Sequence, residues 1–214
     1  MNIRTFVAPG FAENAYLVWQ PNSTQALAID PGDAPAIMQT LTSENLQLAA
    51  ILLTHSHVDH IDGVAELVRA TNAPVHLHPE ARLFYDNAAV QAAQFGMRVE
   101  TPPPPTHELQ PGQLNLASIQ FDVRYVPGHA PGHVLLYNAE AGVAFVGDVV
   151  FQGSIGRTDL PGGNYQVLMS SIREQVMTMP EGTKLYSGHG PVTTVGEERR
   201  FNPFIAPLFG GSFA

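Results

Sequence analysis

Residues 54–60 read THSHVDH, and this short stretch carries three histidines and one aspartate within seven positions. An apolar run, AAILL at 49–53, precedes it, and a helix-like run, GVAELVRA at 63–70, follows it. A solvated loop is the simplest alternative for such polar residues. At the chain's own histidine and aspartate frequencies, however, the pattern H-x-H-x-D-H arises by chance in on the order of one sequence in a thousand. We therefore interpret the stretch as a metal-binding segment.

The spacing of these residues predicts two neighbouring binding points. Side chains two residues apart in an extended segment point to the same side, so His55 and His57 would converge on one cation. Asp59 and His60 follow where the chain turns into a helix, and they would face a second point nearby. Imidazole and carboxylate groups are ligands that suit zinc, iron or manganese.

Three further candidate ligands lie far away in sequence. Each directly follows a glycine at the end of an apolar strand. They are His129 in PGHAPGH, Asp148 in AFVGDVVF and His189 in YSGHGP. Loops at strand ends diverge over a rigid platform, which is where layered α/β folds build their sites. A single histidine after a strand is more often a turn residue, but together these three complete the ligand set that residues 54–60 leave open.

The remaining histidines are interpreted differently. His76 and His78 alternate in VHLHP, but no carboxylate partner follows them, so we interpret both as structural residues. His107 follows a proline run, and we expect its side chain to be solvated.

The composition limits the possible functions. The chain has 214 residues, which fits one domain over residues 1–214. A formal net charge of −9 argues against nucleic acid and anionic membranes as general partners. No cysteine is present, so disulfides, thiolate metal sites and a cysteine nucleophile are excluded. The sequence shows neither a signal-peptide core nor an apolar run of about 18 residues, so we expect a cytoplasmic location. It predicts no oligomeric state.

Strands and helices alternate on both sides of a proline run, PPPP at 102–105, which we expect to separate two halves of the fold. Residues 14–30 predict two strands around the turn PNST. Continuous helices are predicted over 80–96, where Gly96 ends the helix, and over 164–179. Alternating elements of this kind predict sheets with helices packed outside, which is an α/β (α+β layered) fold.

The segments THSHVDH, PGHAPGH, GDVVF and SGHGP, in this order, resemble those of the metallo-β-lactamase-fold superfamily of metal hydrolases. Within that superfamily the chain resembles the short bacterial glyoxalase II-like proteins, the hydroxyacylglutathione hydrolases. The resemblance covers nearly the whole chain and implies a four-layer αβ/βα sandwich, in which two mixed sheets face each other and helices cover both outer sides. It also implies two divalent metal ions, typically zinc and sometimes iron or manganese.

Position by position, the resemblance implies seven ligands for these two metals. The ligands of the first metal would be His55, His57 and His129. Those of the second metal would be Asp59, His60 and His189. The carboxylate of Asp148 would bind both metals. In PGHAPGH the first histidine has the ligand place, so His133 is expected to have a structural role or to support a ligand.

The implied reaction is the hydrolysis of a small-molecule thioester. Two cations would share one hydroxide. This hydroxide would exist at neutral pH because a metal lowers the pKa of bound water to about 7. Asp59 would be a ligand and would also orient that hydroxide. Thr54 and Asp30 are candidates for fixing the tautomers of the ligand imidazoles. For Asp30, a role as a turn residue before Pro-Gly is an equal alternative.

Recognition of the substrate rests on Arg157, in the glycine-rich segment 153–163. In glyoxalase II a basic residue at the matching place contacts the glutathione part of the substrate, and an arginine can bind a carboxylate with two hydrogen bonds. The alternative is a surface arginine paired with Asp159. Two tyrosines of the family are replaced here by Asp159 and Pro191, and the family's C-terminal helical domain has no counterpart in this sequence. S-lactoylglutathione or a related hydroxyacyl thioester is therefore the expected substrate, with glutathione recognition open.

Other reactions on nearly the same ligands stay open. The segments GRTD at 156–159 and TVGEERRFNP at 194–203 also resemble the persulfide dioxygenase branch, whose members use a single iron bound by two histidines and an aspartate. Hydrolysis of a lactone or another ester is a third option. A purely structural metal site is disfavoured, because such sites are usually closed by four ligands, often cysteines. The lack of cysteine excludes only those lactam-cleaving relatives that use a cysteine ligand.

Overall fold

The computed structural model describes residues 1–210. Its first sheet has six strands, whose order across the sheet is the order along the chain. Strands β1 to β3 are antiparallel, and β3 to β6 are parallel. The strands β1 to β6 are Asn2–Val7, Asn14–Trp19, Gln25–Ile29, Gln47–Leu52, Val75–Leu77 and His107–Glu108. The two strands predicted around the turn PNST are β2 and β3.

The second sheet also has six strands, in the order β14-β13-β10-β9-β8-β7. All its neighbours are antiparallel except β10 and β13. A short hairpin, Val150–Phe151 (β11) with Ser154–Ile155 (β12), lies outside it. The strands β7 to β10, β13 and β14 are Gly112–Leu116, Ile119–Tyr125, Val134–Asn138, Val143–Gly147, Lys184–Ser187 and Thr193–Thr194.

The two sheets pack face to face, and helices cover their outer sides. Between the sheets, Leu27 and Ile29 of the first pack with Phe121 and Phe145 of the second. Two outer clusters join each sheet to its own helices. The helices α1 to α7 are Ala34–Ser43, Val58–Ile61, Val64–Thr71, Arg82–Asp86, Ala88–Gln94, Tyr165–Ser171 and Val195–Phe201. The predicted α/β layered fold, an αβ/βα sandwich, is confirmed.

The helix predicted over 80–96 is interrupted. A 3₁₀ turn, Pro79–Ala81, precedes α4, and Asn87 separates α4 from α5. Asn87 has φ −109° and ψ 26°, and its side chain donates a hydrogen bond of 2.8 Å to the carbonyl of Leu83. A side chain that bonds to nearby backbone competes with helical geometry, so one residue divides the predicted helix into two.

The helix predicted over 164–179 begins as expected but changes its geometry. Asn164 caps α6 by accepting a hydrogen bond from the N–H of Val167. The chain then continues as a π-helix over Ile172–Val176, in which the N–H of Met177 donates to the carbonyl of Ile172. The apolar residues of this segment are buried in the outer cluster of the second sheet: Met169, Ile172, Val176 and Met179.

The boundary between the two halves lies later than the proline run predicts. Strand β6 follows that run, yet His107 pairs with His76 in the parallel register of the first sheet. Strand β1, which was not predicted from the sequence, closes the other edge of the same sheet. Within residues 1–210, no helix is both long and apolar enough to cross a membrane.

Candidate metal centre

The candidate ligands come from loops at one end of both sheets. Residues 54–60 follow β4 of the first sheet, and α2 begins directly after His57, so Asp59 and His60 lie in the first turn of that helix. In the second sheet, His129 lies between β8 and β9, Asp148 follows β10 directly, and His189 follows β13. All seven predicted ligands therefore lie around one point between the sheets.

The first group consists of His55, His57 and His129, and all three are buried. The Nε2 of His55 lies 3.1 Å from the Nδ1 of His57, which lies 2.8 Å from the Nε2 of His129. The three ring nitrogens lie within 4.8 Å of one another, so one cation could contact all three. We call this group the first triad.

The second group consists of Asp59, His60 and His189, and we call it the second triad. The Oδ2 of Asp59 lies 3.2 Å from the Nε2 of His189 and 3.9 Å from the Nε2 of His60. These atoms also lie within 4.8 Å of one another.

Asp148 lies between the two triads. Its Oδ2 lies 3.5 Å from the Nε2 of His129 in the first triad and 3.6 Å from the Nε2 of His189 in the second. Its Oδ1 lies 3.4 Å from the Nε2 of His60. A Cβ at Gly188 would lie 2.1 Å from that Oδ1, so only glycine fits at this position. The carboxylate thus reaches both triads, as a bridging ligand must.

Hydrogen bonds on the far side of each ring determine which nitrogen is free to bind a cation. The Nδ1 of His129 donates to the carbonyl of Arg157 at 2.8 Å, and the Nδ1 of His60 donates to Oδ2 of Asp30 at 3.1 Å. The hydroxyl of Thr54 donates to the same Asp30 oxygen at 2.6 Å, so it accepts from the Nδ1 of His55 at 3.1 Å. In the neutral form of each of these rings, the Nε2 therefore carries a lone pair.

These lone pairs fit a cation. Within residues 1–210, the Nε2 of His60 and the Oδ1 of Asp148 are buried and have no hydrogen-bond partner. A buried polar atom without a partner costs free energy, and a divalent cation between the triads would satisfy both. The donor set of five imidazoles and two carboxylates suits zinc, iron or manganese, which matches the chemistry predicted for the site.

Asp30 organises this network. Its Oδ1 accepts the backbone N–H of Thr54 at 2.7 Å, while its Oδ2 serves Thr54 and His60. Asp30 also has φ +47°, in the left-handed region that non-glycine residues rarely adopt. The two alternatives considered for this residue, a turn residue and a support for the ligands, therefore both apply.

His133 supports a ligand instead of joining a triad. Its Nε2 accepts the backbone N–H of Asp148 at 3.1 Å, and its ring stacks on that of His55 with 4.6 Å between centroids. His76 stacks on His107 well away from this network, and neither belongs to a group of potential metal ligands in the described part of the chain. His107 is exposed as predicted.

Glu13 is a buried residue of the site that the sequence analysis missed. Its Oε1 lies 3.8 Å from the Nδ1 of His60, and neither carboxyl oxygen has a hydrogen-bond partner among residues 1–210. Burial raises the pKa of Glu13 well above its ordinary value, although His60 lowers it. Glu13 forms an isolated antiparallel β-bridge with His189. No local sequence pattern indicates this pairing.

The two triads differ in their electrostatic surroundings. Burial, reinforced by His129, lowers the pKa of His57 to about 3. In the second triad burial also lowers the pKa of His60, but Asp148 and Asp59 outweigh it and raise that pKa well above its ordinary value. Burial lowers the pKa of His189, but its hydrogen bond to Asp59 and the charges of Asp148 and Asp59 together outweigh burial and raise that pKa. The first triad is therefore neutral, whereas the second attracts protons.

A cavity of about 630 Å³ opens from the triads to the surface. Arg157 lines it and is largely exposed. The Nε and one terminal nitrogen of Arg157 donate to the two carboxylate oxygens of Asp159 at 2.7 and 2.8 Å. The structure therefore contains the arginine–aspartate pair that was the alternative to a substrate contact. Arg157 nevertheless lines the cavity while it is paired with Asp159.

Residues 8–189 match the family model of the metallo-beta-lactamase superfamily, and this range contains both triads and Asp148. The chain belongs to this superfamily and is a metallo-hydrolase. Among characterised relatives, it is 36% identical over 209 residues to the hydroxyacylglutathione hydrolase GloC of Haemophilus influenzae, covering 96% of this chain and 98% of the relative.

Two solved structures are similar over nearly their whole length. The B3 metallo-beta-lactamase BLEG-1 is 38% identical with a TM-score of 0.90, covering 95% of this chain and 99% of that one. TTHA1623, solved in a di-iron-bound form, is 40% identical with a TM-score of 0.87, covering 94% and 99%. The site is compatible with two metals, and the di-iron relative shows that zinc is not the only metal found in such proteins.

Proposed function

We propose that the protein is a dinuclear metal-dependent thioester hydrolase of the glyoxalase II type, acting on S-lactoylglutathione or a related hydroxyacyl thioester. One observation carries the proposal: Asp148 lies within 3.6 Å of histidines from both triads. A carboxylate in that position can be shared by two cations held a few ångströms apart. The similarity to GloC supports the choice of a thioester.

The residues of the chain would divide the work as follows. The first triad would hold one cation and the second triad the other, and Asp148 is placed to serve both. Bound divalent cations lower the pKa of water and polarise a carbonyl, which is the chemistry required for thioester cleavage. Asp59 faces the cavity, so its carboxylate is placed to accept a proton from the attacking water and to orient it.

Arg157 is proposed to bind a carboxylate of the thiol part of the substrate. Its pair with Asp159 is solvent-exposed, and exposed ion pairs contribute about 1 kcal/mol or less. A substrate carboxylate can therefore replace Asp159 on the guanidinium. Because the carbonyl of Arg157 accepts from His129, the loop that holds this arginine is fixed relative to the first triad.

The alternative reaction, oxidation of a persulfide at a single iron, needs only one group of ligands. A single iron of that kind would use three of the seven grouped side chains, whereas two cations would use all seven. Hydrolysis of a lactone or another ester uses the same two metals and differs only in the leaving group.

The deciding experiment combines metal content with activity. The purified protein is stripped, reloaded with zinc, iron or manganese, and analysed for metal stoichiometry and for thiol release from S-lactoylglutathione. We expect two metals per chain and thiol release that a chelator abolishes. One iron per chain with oxygen uptake on glutathione persulfide would establish the dioxygenase. Two metals without hydrolysis of any thioester, ester or lactone would indicate a binding module.

A further inference from the structure

The cavity beside the triads has an apolar wall that the proposed chemistry does not use. Helices α4 and α5 supply Leu83 and Val90, which line the cavity although their side chains are 72% and 60% exposed. Phe95, just after α5, lines it as well and is 49% exposed. Large apolar residues exposed side by side in a concave surface usually mark a binding site.

The apolar surface begins at the ligands themselves. The ring of Phe84 lies edge-on to that of His57, with 5.9 Å between centroids, and the ring of Phe151 lies 5.9 Å from that of His189. Farther out, Phe11 from the β1–β2 loop meets Phe95 edge-on at 5.4 Å. A group bound at the metal centre therefore has aromatic rings on both sides.

Two polar side chains of the wall already donate hydrogen bonds within the protein. The Nε2 of Gln91 donates to the carbonyls of Phe84 and Ser56, at 2.7 and 3.0 Å, which uses both of its hydrogens. The side-chain amide of Asn87 donates to the carbonyl of Leu83. Apart from the histidines of the two triads, Arg157 is the only basic lining residue in the described chain, and it is paired with Asp159.

We propose that this wall binds a hydrocarbon acyl chain, so that the preferred substrates are thioesters of medium-length aliphatic acids. The inference rests on the proposed function and narrows its substrate class. Thiol carriers are polar and can reach Arg157 at the cavity mouth, whereas the acyl group is the part of a thioester that can be purely hydrocarbon. A lactoyl group is small and carries a hydroxyl, so it would cover little of the surface formed by Leu83, Val90 and Phe95.

The first test uses S-alkylglutathiones, which are thioethers and cannot be hydrolysed. Dissociation constants of S-methyl-, S-butyl- and S-hexylglutathione are measured by calorimetry on the metal-loaded protein. We expect the affinity to rise about fourfold for each methylene that the wall covers. An affinity that does not change with chain length would overturn the inference.

The second test varies the acyl group at constant thiol. Values of kcat/KM are compared for S-lactoyl-, S-butanoyl- and S-hexanoylglutathione, and we expect hexanoyl to exceed lactoyl by about tenfold or more. Turnover of S-lactoylglutathione alone would leave the proposed function intact and overturn the inference. Chain-length-dependent binding without hydrolysis of any thioester would instead overturn the proposed function, and with it the assignment of the bound chain as an acyl group.

Substitutions in the wall identify the residues responsible. Leu83→Gln and Val90→Gln change exposed side chains, so the fold is expected to survive. Each should lower the ratio of hexanoyl to lactoyl kcat/KM by about fivefold or more. Phe201→Gln is the matched control, because Phe201 is equally exposed but does not line the cavity. A ratio that stays at the wild-type value in both wall variants would contradict the assignment.

Discussion

The Nδ1 of His60 lies 3.1 Å from the Oδ2 of Asp30, and this hydrogen bond determines the face that His60 presents to the candidate metal centre. Because Nδ1 donates to Asp30, the Nε2 keeps its lone pair and points towards Asp148. The same carboxylate orients His55 through the hydroxyl of Thr54. One buried aspartate outside the ligand set therefore supports a ligand in each triad.

Asp30→Asn is predicted to weaken metal binding. An amide nitrogen cannot accept, so one of the hydrogen bonds from Thr54 or His60 is lost and the rings lose their fixed orientation. We expect the affinity for zinc to fall about 10- to 100-fold, measured by competition with a chelator. Asp62→Asn is the control. Asp62 follows His60 by two residues but makes no side-chain hydrogen bond to either triad in residues 1–210. Equal affinity in wild type and Asp30→Asn would show that the network is not required.

Acidification is predicted to remove the two metals in sequence. Protons compete with cations for imidazole, and the pKa values of His60 and His189 are raised, whereas that of His57 is lowered to about 3. As the pH falls from about 8 to about 5, the cation of the second triad should leave first, starting above the ordinary histidine pKa of about 6.5. Metal content after dialysis at each pH tests this order. Simultaneous loss of both metals would contradict it.

In the metal-free protein, His60 and His189 should stabilise the fold more at low pH than at high pH. The folded pKa values of His60 and His189 lie above their unfolded values, so these residues contribute stability that is fully present below about pH 6.5. That contribution is lost as the pH rises through the folded pKa values. The loss of unfolding free energy caused by His189→Ala, measured by urea unfolding of the stripped protein, should therefore be larger at about pH 6 than at about pH 9. An equal loss at both pH values would contradict this contribution.

His57→Ala is predicted to abolish turnover with little change in fold. His57 is a proposed ligand of the first triad, and its loss leaves two ring nitrogens where the geometry provides three. We expect kcat for S-lactoylglutathione to fall by more than about a hundredfold. His107→Ala is the matched control, since His107 is exposed and remote from both triads. Far-ultraviolet circular dichroism of both variants should match that of the wild type; retained activity in His57→Ala would exclude the proposed role.

Arg157 and Asp159 should affect KM in opposite directions. Arg157→Ala removes the guanidinium and should raise KM for S-lactoylglutathione about fivefold, with a smaller effect on kcat. Asp159→Asn frees the guanidinium for the substrate and should lower KM. Arg173→Ala is a suitable control, because Arg173 forms a comparable exposed pair with Glu174. An unchanged KM in Arg157→Ala would remove the role in carboxylate binding.

Much of this site could be predicted from the sequence, because its ligands follow apolar strands within short, recognisable segments. Residues 54–60 contain four of the seven donors, and their spacing alone indicates two binding points. The other three were predicted because each lies at a strand end beside glycine. The structure brings all seven together, and in this respect the geometry is as expected.

What could not be predicted depends on contacts between distant parts of the chain. Glu13 lies against His60 because a bridge joins it to His189, and no local pattern encodes that pairing. The break at Asn87 arises from one side chain that bonds to backbone in a sequence otherwise suited to a continuous helix. Leu83 of α4 and Val90 of α5, on either side of this break, both line the cavity, and a continuous helix does not predict that apolar wall.

Each triad takes two members from residues 54–60, which follow β4 of the first sheet, and one member from a loop of the second sheet. A cation bound by either triad would therefore cross-link the two sheets of the sandwich. Separation of the sheets and release of the cations become a single event. Chelation should accordingly quicken amide hydrogen exchange in the strands that face each other, far beyond the loops that carry the ligands.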